Sequence, residues 1–312
     1  MSTTPAYPTG RGLAGQPRAA ALGLVAALYV IVILAAWAVA AALPHRHPLT
    51  AVAAADIVAT LIVFLASMAV ANSSMYDPYW SVAPPVVAIY LLTQAPGSLP
   101  GGVVTRHVAV IVLILVWAVR LTGNWAWGWP GFRHEDWRYV DMRNDSGGRA
   151  PWAAVSFLGV HLFPTIIVFL AMLPLWPALA AGTHGLGPLD ALAVVVTAGA
   201  IALELVADVQ LHRFTGDAAH RGQIMNRGLW SISRHPNYLG ELSFWWGLWL
   251  FGLAADPSWW WTVVGPVAMT LMFLLASVPM LDRRSLARRP GYDAHMQQVP
   301  ALFPRLWPTR SH

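Results

Sequence analysis

Residues 19–43 read AAALGLVAALYVIVILAAWAVAAAL, an apolar run without a single charged side chain. A helix needs about 20 such residues to cross the hydrocarbon core of a bilayer. The run is too long for the apolar core of a signal peptide, and no clear cleavage site follows it. These residues therefore predict a first transmembrane helix.

Similar runs recur along the 312 residues, which are 57% hydrophobic and only 11% charged. A soluble domain usually has about a quarter of its residues charged. The candidate spans are 19–43, 50–71, 82–94, 107–121, 152–176, 189–211, 238–253 and 259–280. The third is short and begins near two prolines, so it is either a crossing or a broken, re-entrant piece. The sequence predicts an all-α integral membrane protein, a bundle of seven or eight transmembrane helices.

The distribution of arginine predicts how the bundle is oriented. Arg11 and Arg18 precede the first span, and four arginines lie in each of the stretches 122–151 and 212–236. Cytoplasmic loops carry an excess of basic residues. With eight spans this places both termini in the cytosol, and only Arg46 breaks the pattern. The composition is typical of a GC-rich bacterial genome, so we expect the inner (cytoplasmic) membrane.

Composition also bounds the chemistry and the partners. The chain has no Cys and all 19 of its basic residues are Arg, which excludes disulfides, thiolate chemistry and a Lys Schiff base. Its net charge of +5 is concentrated between apolar runs, as expected for a positive-inside bias, so no nucleic-acid partner is expected. None of the 11 His residues lies in an HExxH-like motif, and no metal is predicted. The sequence does not indicate the oligomeric state.

Residues 1–18 are polar and rich in Pro and Gly, which predicts a disordered tail. Residues 19–312 are then a single transmembrane domain. Ionisable residues at membrane depth usually mark a function. Glu204 and Asp208 are four residues apart near the inner end of an apolar helix, hence on one face. They either lie at the membrane interface or accept hydrogen bonds from the ribose, amide or amine of a ligand.

The motif RHPNYLGE, residues 234–241, lies where the chain enters a later span. Pro236 is expected to begin a helix, because its missing N–H is harmless in the first turn. Arg234 and His235 would then lie at the positive end of the helix dipole, where a phosphate binds well. Asn237 and Glu241 would share one face. The alternative is an interfacial anchor, since several tryptophans follow.

The last span is followed by LDRRSLARR, residues 281–289. Asp282, Arg283 and Arg284 open this segment, and two more arginines close it. Guanidinium groups form a fork that suits phosphates. The segment is either a phosphate-binding site or a further positive-inside signal.

The motif SRHPNYLGE, an apolar span and a basic stretch ending GYDAHMQQVPALFP resemble the C-terminal module of steroid 5-alpha-reductase-like membrane enzymes. The segments RLTGNWAWGWPGFRHEDWRYVDMR, ADVQLHRF and RGLWSISRHPNYLGE resemble more closely a bacterial branch known as a domain of unknown function. Sterol and steroid reductases in this superfamily bind NADPH and reduce a carbon–carbon double bond. The related isoprenylcysteine carboxyl methyltransferases bind S-adenosylmethionine through a similar motif.

The resemblance implies a cofactor-binding module at about residues 204–304. In the reductases the corresponding Asn and Glu contact the nicotinamide half of NADPH, which implies this role for Asn237 and Glu241. Asp208 matches an acidic residue before their nucleotide loop, and His295 stands where they often have a Tyr. The candidate cofactor-binding residues are Glu204, Asp208, Arg213, Arg221, Trp230, Arg234, His235, Asn237, Tyr238, Glu241, Asp282, Arg283, Arg284 and His295.

The leading hypothesis is an NADPH-dependent reductase of a lipophilic enone. A Tyr or a protonated carboxyl must then stabilise the charge that develops on the carbonyl oxygen. Steroid reductases use a Glu and a Tyr on early helices, a pair that the sequence does not reveal. Tyr79 with Asp77, or Tyr139 with Glu135, are the candidate donors.

Two other functions fit the same residues. A methyltransferase would bind S-adenosylmethionine through the same loop and methylate a lipid or a prenylated carboxylate. A non-catalytic lipid-binding protein would need only a polar cavity and would bind neither cofactor. Arginine after the last span suits a phosphate-rich dinucleotide better than a cofactor without phosphates. In every case the expected partners are the lipid bilayer and a lipophilic small molecule.

Overall fold

A computed structural model describes residues 13, 15–96 and 103–304, and over this part of the chain it contains helices, turns and loops but no strand. Predicted tail residues 1–12 and 14 lie outside the described part. Arg18, assigned to that tail, is instead the first residue of a helix. The helices are α1 Arg18–Ala41, α2 Pro48–Val70, α3 Tyr79–Thr93, α4 Val103–Gly128, α5 Trp137–Asp145, α6 Arg149–Val155, α7 Phe163–Met172, α8 Pro188–Gly216, α9 Pro236–Ala255, α10 Val264–Met272, α11 Val278–Arg288 and α12 Tyr292–Gln298.

Within the described chain, six helical segments are long and apolar enough to cross a membrane, so this is a membrane protein. They are α1, α2, α4, α8 and two composite helices, Arg149–Ala181 and Pro257–Arg288. The composite helices contain π-helical turns, Ser156–Leu162 and Pro177–Ala181 in the first and Phe273–Ser277 in the second. Such turns insert one residue into a helix and are frequent at functional sites.

The two remaining apolar segments, α3 and α9, are not among the helices that are long and apolar enough to cross a membrane. Helix α3 has 15 residues and runs without a break through Pro84 and Pro85, so the structure has no broken piece here. Proline within a helix is tolerated where neighbouring helices satisfy the freed backbone groups. Helix α9 begins at Pro236, as the sequence predicts. Helix α4 extends to Gly128, well beyond the predicted end at residue 121, because Arg120 and Asn124 are bonded to side chains of α8.

Hydrogen bonds identify the two ends of the bundle. At one end the Arg18 guanidinium donates to the carbonyl of Trp129 at 3.0 Å, which joins the start of α1 to the end of α4. At the other end the buried Arg106 pairs with Asp190 at 2.6 Å and joins the starts of α4 and α8. Arg106 also donates to the backbone oxygen of Ala254, at the end of α9. We name these the Arg120 end and the Arg106 end.

Helices α8 and α9 pack against each other along a line of small residues. A side chain at Gly240 would lie 2.9 Å from the backbone oxygen of Ala200, and one at Gly247 would lie 3.1 Å from the backbone nitrogen of Thr197. Glycine is therefore required on α9 for the close approach of the two backbones. This contact positions Glu204 and Asp208 of α8 against the opening turns of α9.

Candidate functional site

A cavity of about 630 Å³ at the Arg120 end collects many of the C-terminal polar residues. It lies between the end of α8, the loop that leads to α9, the first turn of α9, and helices α11 and α12. Its lining contains five arginines, three histidines and one acid, Asp217, and we name it the cationic cavity. Eight of the predicted cofactor-binding residues line it: Arg221, Trp230, Arg234, His235, Asn237, Tyr238, Arg284 and His295.

Asp282 of α11 holds the loop that carries the RHPNY motif. Its carboxylate accepts hydrogen bonds from Arg234 Nη2 at 2.7 Å and from the Tyr292 hydroxyl at 2.9 Å, and it lies 3.1 Å from His235 Nε2. Burial raises the pKa of Tyr292 to about 12, so its hydroxyl remains a donor at neutral pH. Arg234 also donates to the backbone oxygen of Val299 at 2.5 Å. Asp282 offsets the charge of Arg234, so the remaining arginines give the cavity its net positive charge.

Six predicted cofactor-binding residues do not line the cavity: Glu204, Asp208, Arg213, Glu241, Asp282 and Arg283. Arg213 is exposed at the end of α8, and the exposed Arg283 donates to the backbone oxygen of Pro279 at 3.2 Å. Of the residues that do line it, His295 has a pKa lowered by burial, so its ring is neutral at pH 7. Arg284 lies 4.0 Å from the ring centre of Trp137, which lines the cavity from α5.

Three of these six residues meet at Arg120, a partly buried residue of α4 that the sequence did not single out. Arg120 forms an ion pair with Glu204 and a second with Asp208 at 2.7 Å, and it lies 4.0 Å from Glu241. Asn237 donates to Asp208 at 3.3 Å. The prediction that Glu204 and Asp208 share one helix face is confirmed. We name this group the Arg120 cluster; it sets three carboxyl groups against one cation.

Glu241 is held from two sides within this cluster. Its two oxygens accept hydrogen bonds from the indole N–H groups of Trp117 at 3.1 Å and Trp245 at 2.9 Å. By contrast, Glu204 Oε1 is buried and has no hydrogen-bond partner. A buried acceptor without a partner costs free energy, so this oxygen is a candidate contact for a hydrogen-bond donor.

The predicted proton donors pair differently from the prediction. The Tyr139 hydroxyl donates to Asp77 Oδ1 at 2.5 Å, whereas Glu135 accepts from Arg143 at 2.6 Å and from the backbone N–H of Ser73 at 2.7 Å. Burial raises the pKa of Asp77 from 3.8 to about 7, and burial also raises the pKa of Glu135. These contacts fasten α5 to the loop between α2 and α3.

Tyr79, the remaining predicted donor, has a partner on another helix. Its hydroxyl oxygen is hydrogen-bonded to Asp56 Oδ1 on α2, and the two residues are only 2% and 6% exposed. Asp56 Oδ2 is buried and has no hydrogen-bond partner. Sequence reasoning missed this pair. The available signal was that Asp56 is the one charged residue in the apolar run 50–71.

The Asp56–Tyr79 pair lies in the wall of a narrow cleft between α1, α2 and α3, with a volume of about 60 Å³. The described residues that line this apolar cleft include no Arg, Lys or His. Tyr90 of α3 lies edge-on to the exposed Trp37 of α1, with ring centres 5.8 Å apart. The cleft is therefore apolar and contains one buried acid–phenol pair.

Two connections join the cleft to the region of the cationic cavity. Helix α5 carries Trp137 in the cavity lining and, two residues later, Tyr139, which is bonded to Asp77 beside the start of α3. The Ser81 hydroxyl of α3 lies 2.7 Å from that of Thr122, two residues beyond Arg120. Among the described residues, no group of three or more His, Asp or Glu residues has the geometry to hold a metal ion.

Comparisons with known proteins place these features in a family. The sequence model of the family described as "Protein of unknown function (DUF1295)" matches residues 63–299. This range includes the cationic cavity and the Arg120 cluster. Uncharacterized protein C594.04c of Schizosaccharomyces pombe is 26% identical over 258 residues, which are 75% of this chain and 73% of that protein. No solved structure matches the chain. The chain therefore belongs to the DUF1295 family.

Proposed function

We propose that the protein is an NADPH-dependent reductase of a carbon–carbon double bond conjugated to a carbonyl in a lipophilic molecule. The observation that carries the proposal is the buried Asp56–Tyr79 pair in an apolar cleft. Reduction of an enone needs a hydrogen-bond donor at the carbonyl oxygen. Transfer of a methyl group to a carboxylate needs no such donor, and neither does the storage of a lipid. The proposal agrees with the resemblance to steroid 5-alpha-reductase-like enzymes.

The cationic cavity fits a phosphate-rich dinucleotide. Its volume of about 630 Å³ lies in the range of roughly 300–1,000 Å³ that is usual for ligand sites. Arg221, Arg284, Arg288 and Arg289 would hold the phosphates, and the Trp137 ring would support the adenine. Asn237, bonded to Asp208, would orient the carboxamide. Bound NADPH would supply a hydride to the β-carbon of the alkene.

In the apolar cleft, Tyr79 would donate a hydrogen bond to the substrate carbonyl. As the hydride adds at the β-carbon, the electron pair of the double bond moves toward that oxygen, and the Tyr79 hydroxyl stabilises the charge. The substrate finally takes up one proton at the α-carbon, so the net change is one hydride and one proton. The apolar walls exclude water and strengthen the hydrogen bond.

We further propose that eight helical passes cross the membrane, with α3 and α9 among them and the Arg120 end in the cytosol. The described chain begins and ends its helical part at this end, where Arg18 joins the end of α4 and Arg234 joins the segment after α12. An even number of passes agrees with this. In a bacterial inner membrane, the cationic cavity would then meet cytosolic NADPH, and the cleft would receive its substrate from the lipid.

Deuterium transfer tests the proposal. Purified protein in liposomes is incubated with NADPH deuterated at the transferable position and with a panel of lipophilic enones that includes 4-cholesten-3-one. We expect a product that gains one deuterium and one hydrogen, and no such product from the Tyr79→Phe protein. Labelled lipid that appears only with methyl-labelled S-adenosylmethionine would overturn the proposal.

A methyltransferase is the second candidate, and one observation favours it. The Arg120 cluster contains three carboxyl groups and one cation, a charge balance that suits a ligand with a positive sulfonium or ammonium group. S-Adenosylmethionine carries both. NADPH contains phosphate groups and S-adenosylmethionine contains none. Arg284→Ala should therefore weaken binding of NADPH and leave binding of S-adenosylmethionine unchanged.

A further inference from the structure

A chain of hydroxyl groups continues behind the Asp56–Tyr79 pair. Thr60 Oγ1 lies 3.4 Å from the Tyr79 hydroxyl oxygen and 2.8 Å from Thr165 Oγ1. Thr165 Oγ1 in turn lies 2.8 Å from the Tyr76 hydroxyl. All four hydroxyl-bearing residues are 2% exposed or less. The chain joins α2, α3, α7 and the loop before α3, and the role proposed for Tyr79 does not account for its two threonines.

The number of hydroxyl hydrogens determines which group donates and which accepts along this chain of hydroxyl groups. Thr165 donates to the backbone oxygen of His161 at 2.9 Å, and a carbonyl oxygen can only accept. With its one hydrogen committed there, Thr165 accepts from both Thr60 and Tyr76. Thr60 then has no hydrogen left for Tyr79 and offers it only a lone pair. The Tyr79 hydroxyl oxygen also lies 3.2 Å from the backbone oxygen of Asp56, which can only accept. If Tyr79 gives its one hydrogen to Thr60 or to that backbone oxygen, Asp56 must be the donor in the acid–phenol pair.

The surroundings of Asp56 agree with that direction. The described lining of the apolar cleft offers no cationic side chain, and its other ionisable groups are the phenols of Tyr29, Tyr79 and Tyr90. The hydroxyl of Tyr29 is committed to the backbone oxygen of Met75 at 2.9 Å. A buried carboxylate without a cation is costly, whereas a neutral carboxyl is not. Asp56 Oδ2 also has no partner to stabilise a charge.

We infer that Thr60 and Thr165 are positioning residues that orient the chain so that Asp56 carries a proton and donates it to the Tyr79 oxygen. The Tyr79 hydrogen is then available to Thr60 or the backbone oxygen of Asp56 in the resting protein, and to a carbonyl oxygen of a substrate in the apolar cleft. During reduction, Tyr79 passes its proton to the enolate oxygen while the Asp56 proton moves to Tyr79. When the enol takes up a proton at the α-carbon, its hydroxyl proton returns to the pair. The catalytic part of this inference rests on the proposed function, but the position of the proton does not.

Infrared spectroscopy tests the proton directly, without substrate or cofactor. A protonated carboxyl has a C=O stretch that a carboxylate lacks. We expect such a band in the wild-type protein, lost in Asp56→Asn. It should shift in Thr60→Val and Thr165→Val, which remove a hydroxyl at nearly constant shape. Thr165→Ser keeps the hydroxyl and should keep the band in place, which controls for any general change of packing.

The outcomes separate the inference from the proposed function. If the spectrum of Asp56→Asn matches that of the wild type, Asp56 is ionised and the inference is wrong. A band that stays unmoved in both Val variants would also contradict it. If deuterium transfer occurs, Thr165→Val should lower kcat roughly tenfold, with little change in the KM for NADPH. This is less than the contribution of a general acid, about 10²–10⁴-fold, because Thr165 acts only through Tyr79. Failure of the transfer together with a shifted band would overturn only the enzymatic proposal.

Discussion

At the scale of single residues, the two binding regions differ in charge. The apolar cleft contains one carboxyl group, that of Asp56, and no cation among its described lining residues. The cationic cavity contains five arginines and one acid. A lone acid in an apolar wall can hold or donate a proton, and a set of arginines can hold phosphates. The proposed NADPH-dependent reductase needs one site of each kind.

Removing the acid or the phenol should slow reduction sharply without weakening the binding of NADPH. We expect Asp56→Asn and Tyr79→Phe to lower the rate of deuterium transfer by about 10²–10⁴-fold, the usual contribution of a positioned proton donor. Binding of NADPH should be unchanged, because neither residue lines the cationic cavity. Tyr90→Phe is the matched control at the edge of the same cleft. Full activity in Tyr79→Phe would contradict this role.

Asp77 should make stability fall as pH rises. Burial raises its pKa from 3.8 to about 7 in the folded protein. Between those values the folded protein holds a proton that the unfolded chain has released, so unfolding becomes easier by at most about 1.4 kcal/mol for each pH unit. Asp77→Asn removes this loss and still accepts from Tyr139. Thermal unfolding from acid to neutral pH should therefore show a flatter profile in the variant, and equal slopes would contradict the prediction.

At the scale of helices, features that depend on residues close in sequence could be predicted, whereas contacts between helices could not. The start of α9 at Pro236 and the shared face of Glu204 and Asp208 follow from local rules, and both are confirmed. Tyr79 and Asp56 are 23 residues apart on different helices, and no periodicity joins them. The same holds for Arg120, 84 residues from Glu204. The pattern of apolar runs predicts where helices lie, but the neighbours of each helix depend on packing.

The close contact between α8 and α9 should be sensitive to one methyl group. Gly240→Ala would bring a carbon 2.9 Å from the backbone oxygen of Ala200, so we expect a loss of about 1–3 kcal/mol. Gly199→Ala on α8 is the matched control, because no atom lies within 4 Å of the added carbon. Thermal unfolding in detergent should show a lower midpoint for Gly240→Ala alone. A similar midpoint in both variants would mean that the two helices do not approach so closely.

At the scale of the whole molecule, the two ends of the bundle differ in their polar contacts. The Arg120 end contains the cationic cavity and the Arg120 cluster, whereas the Arg106 end is closed by one buried ion pair. Arg106 also donates to the backbone oxygens of His184 and Gly185, both at 2.9 Å. The contacts of this pair are confined to one end, so we expect it to affect stability and not binding.

Breaking that pair should separate stability from function. Arg106→Leu leaves Asp190 buried and unpaired, and the loss of one partner in a buried pair costs about 3–5 kcal/mol. The midpoint of thermal unfolding should fall sharply. Binding of NADPH by the fraction that remains folded should match the wild type, since both residues lie at the end opposite the cationic cavity. A variant that is stable but cannot bind would contradict this division.

Cofactor binding tests the central claim most directly. Thermal unfolding of the purified protein is compared with NADPH, NADH and S-adenosylmethionine, since a ligand that binds only the folded state raises stability by about 2.7 kcal/mol at 100 times its Kd. We predict stabilisation by NADPH, weakened in Arg284→Ala and retained in Arg283→Ala, whose side chain lies outside the cavity lining. Stabilisation by S-adenosylmethionine alone, or by none of the three, would contradict the proposal of an NADPH-dependent reductase.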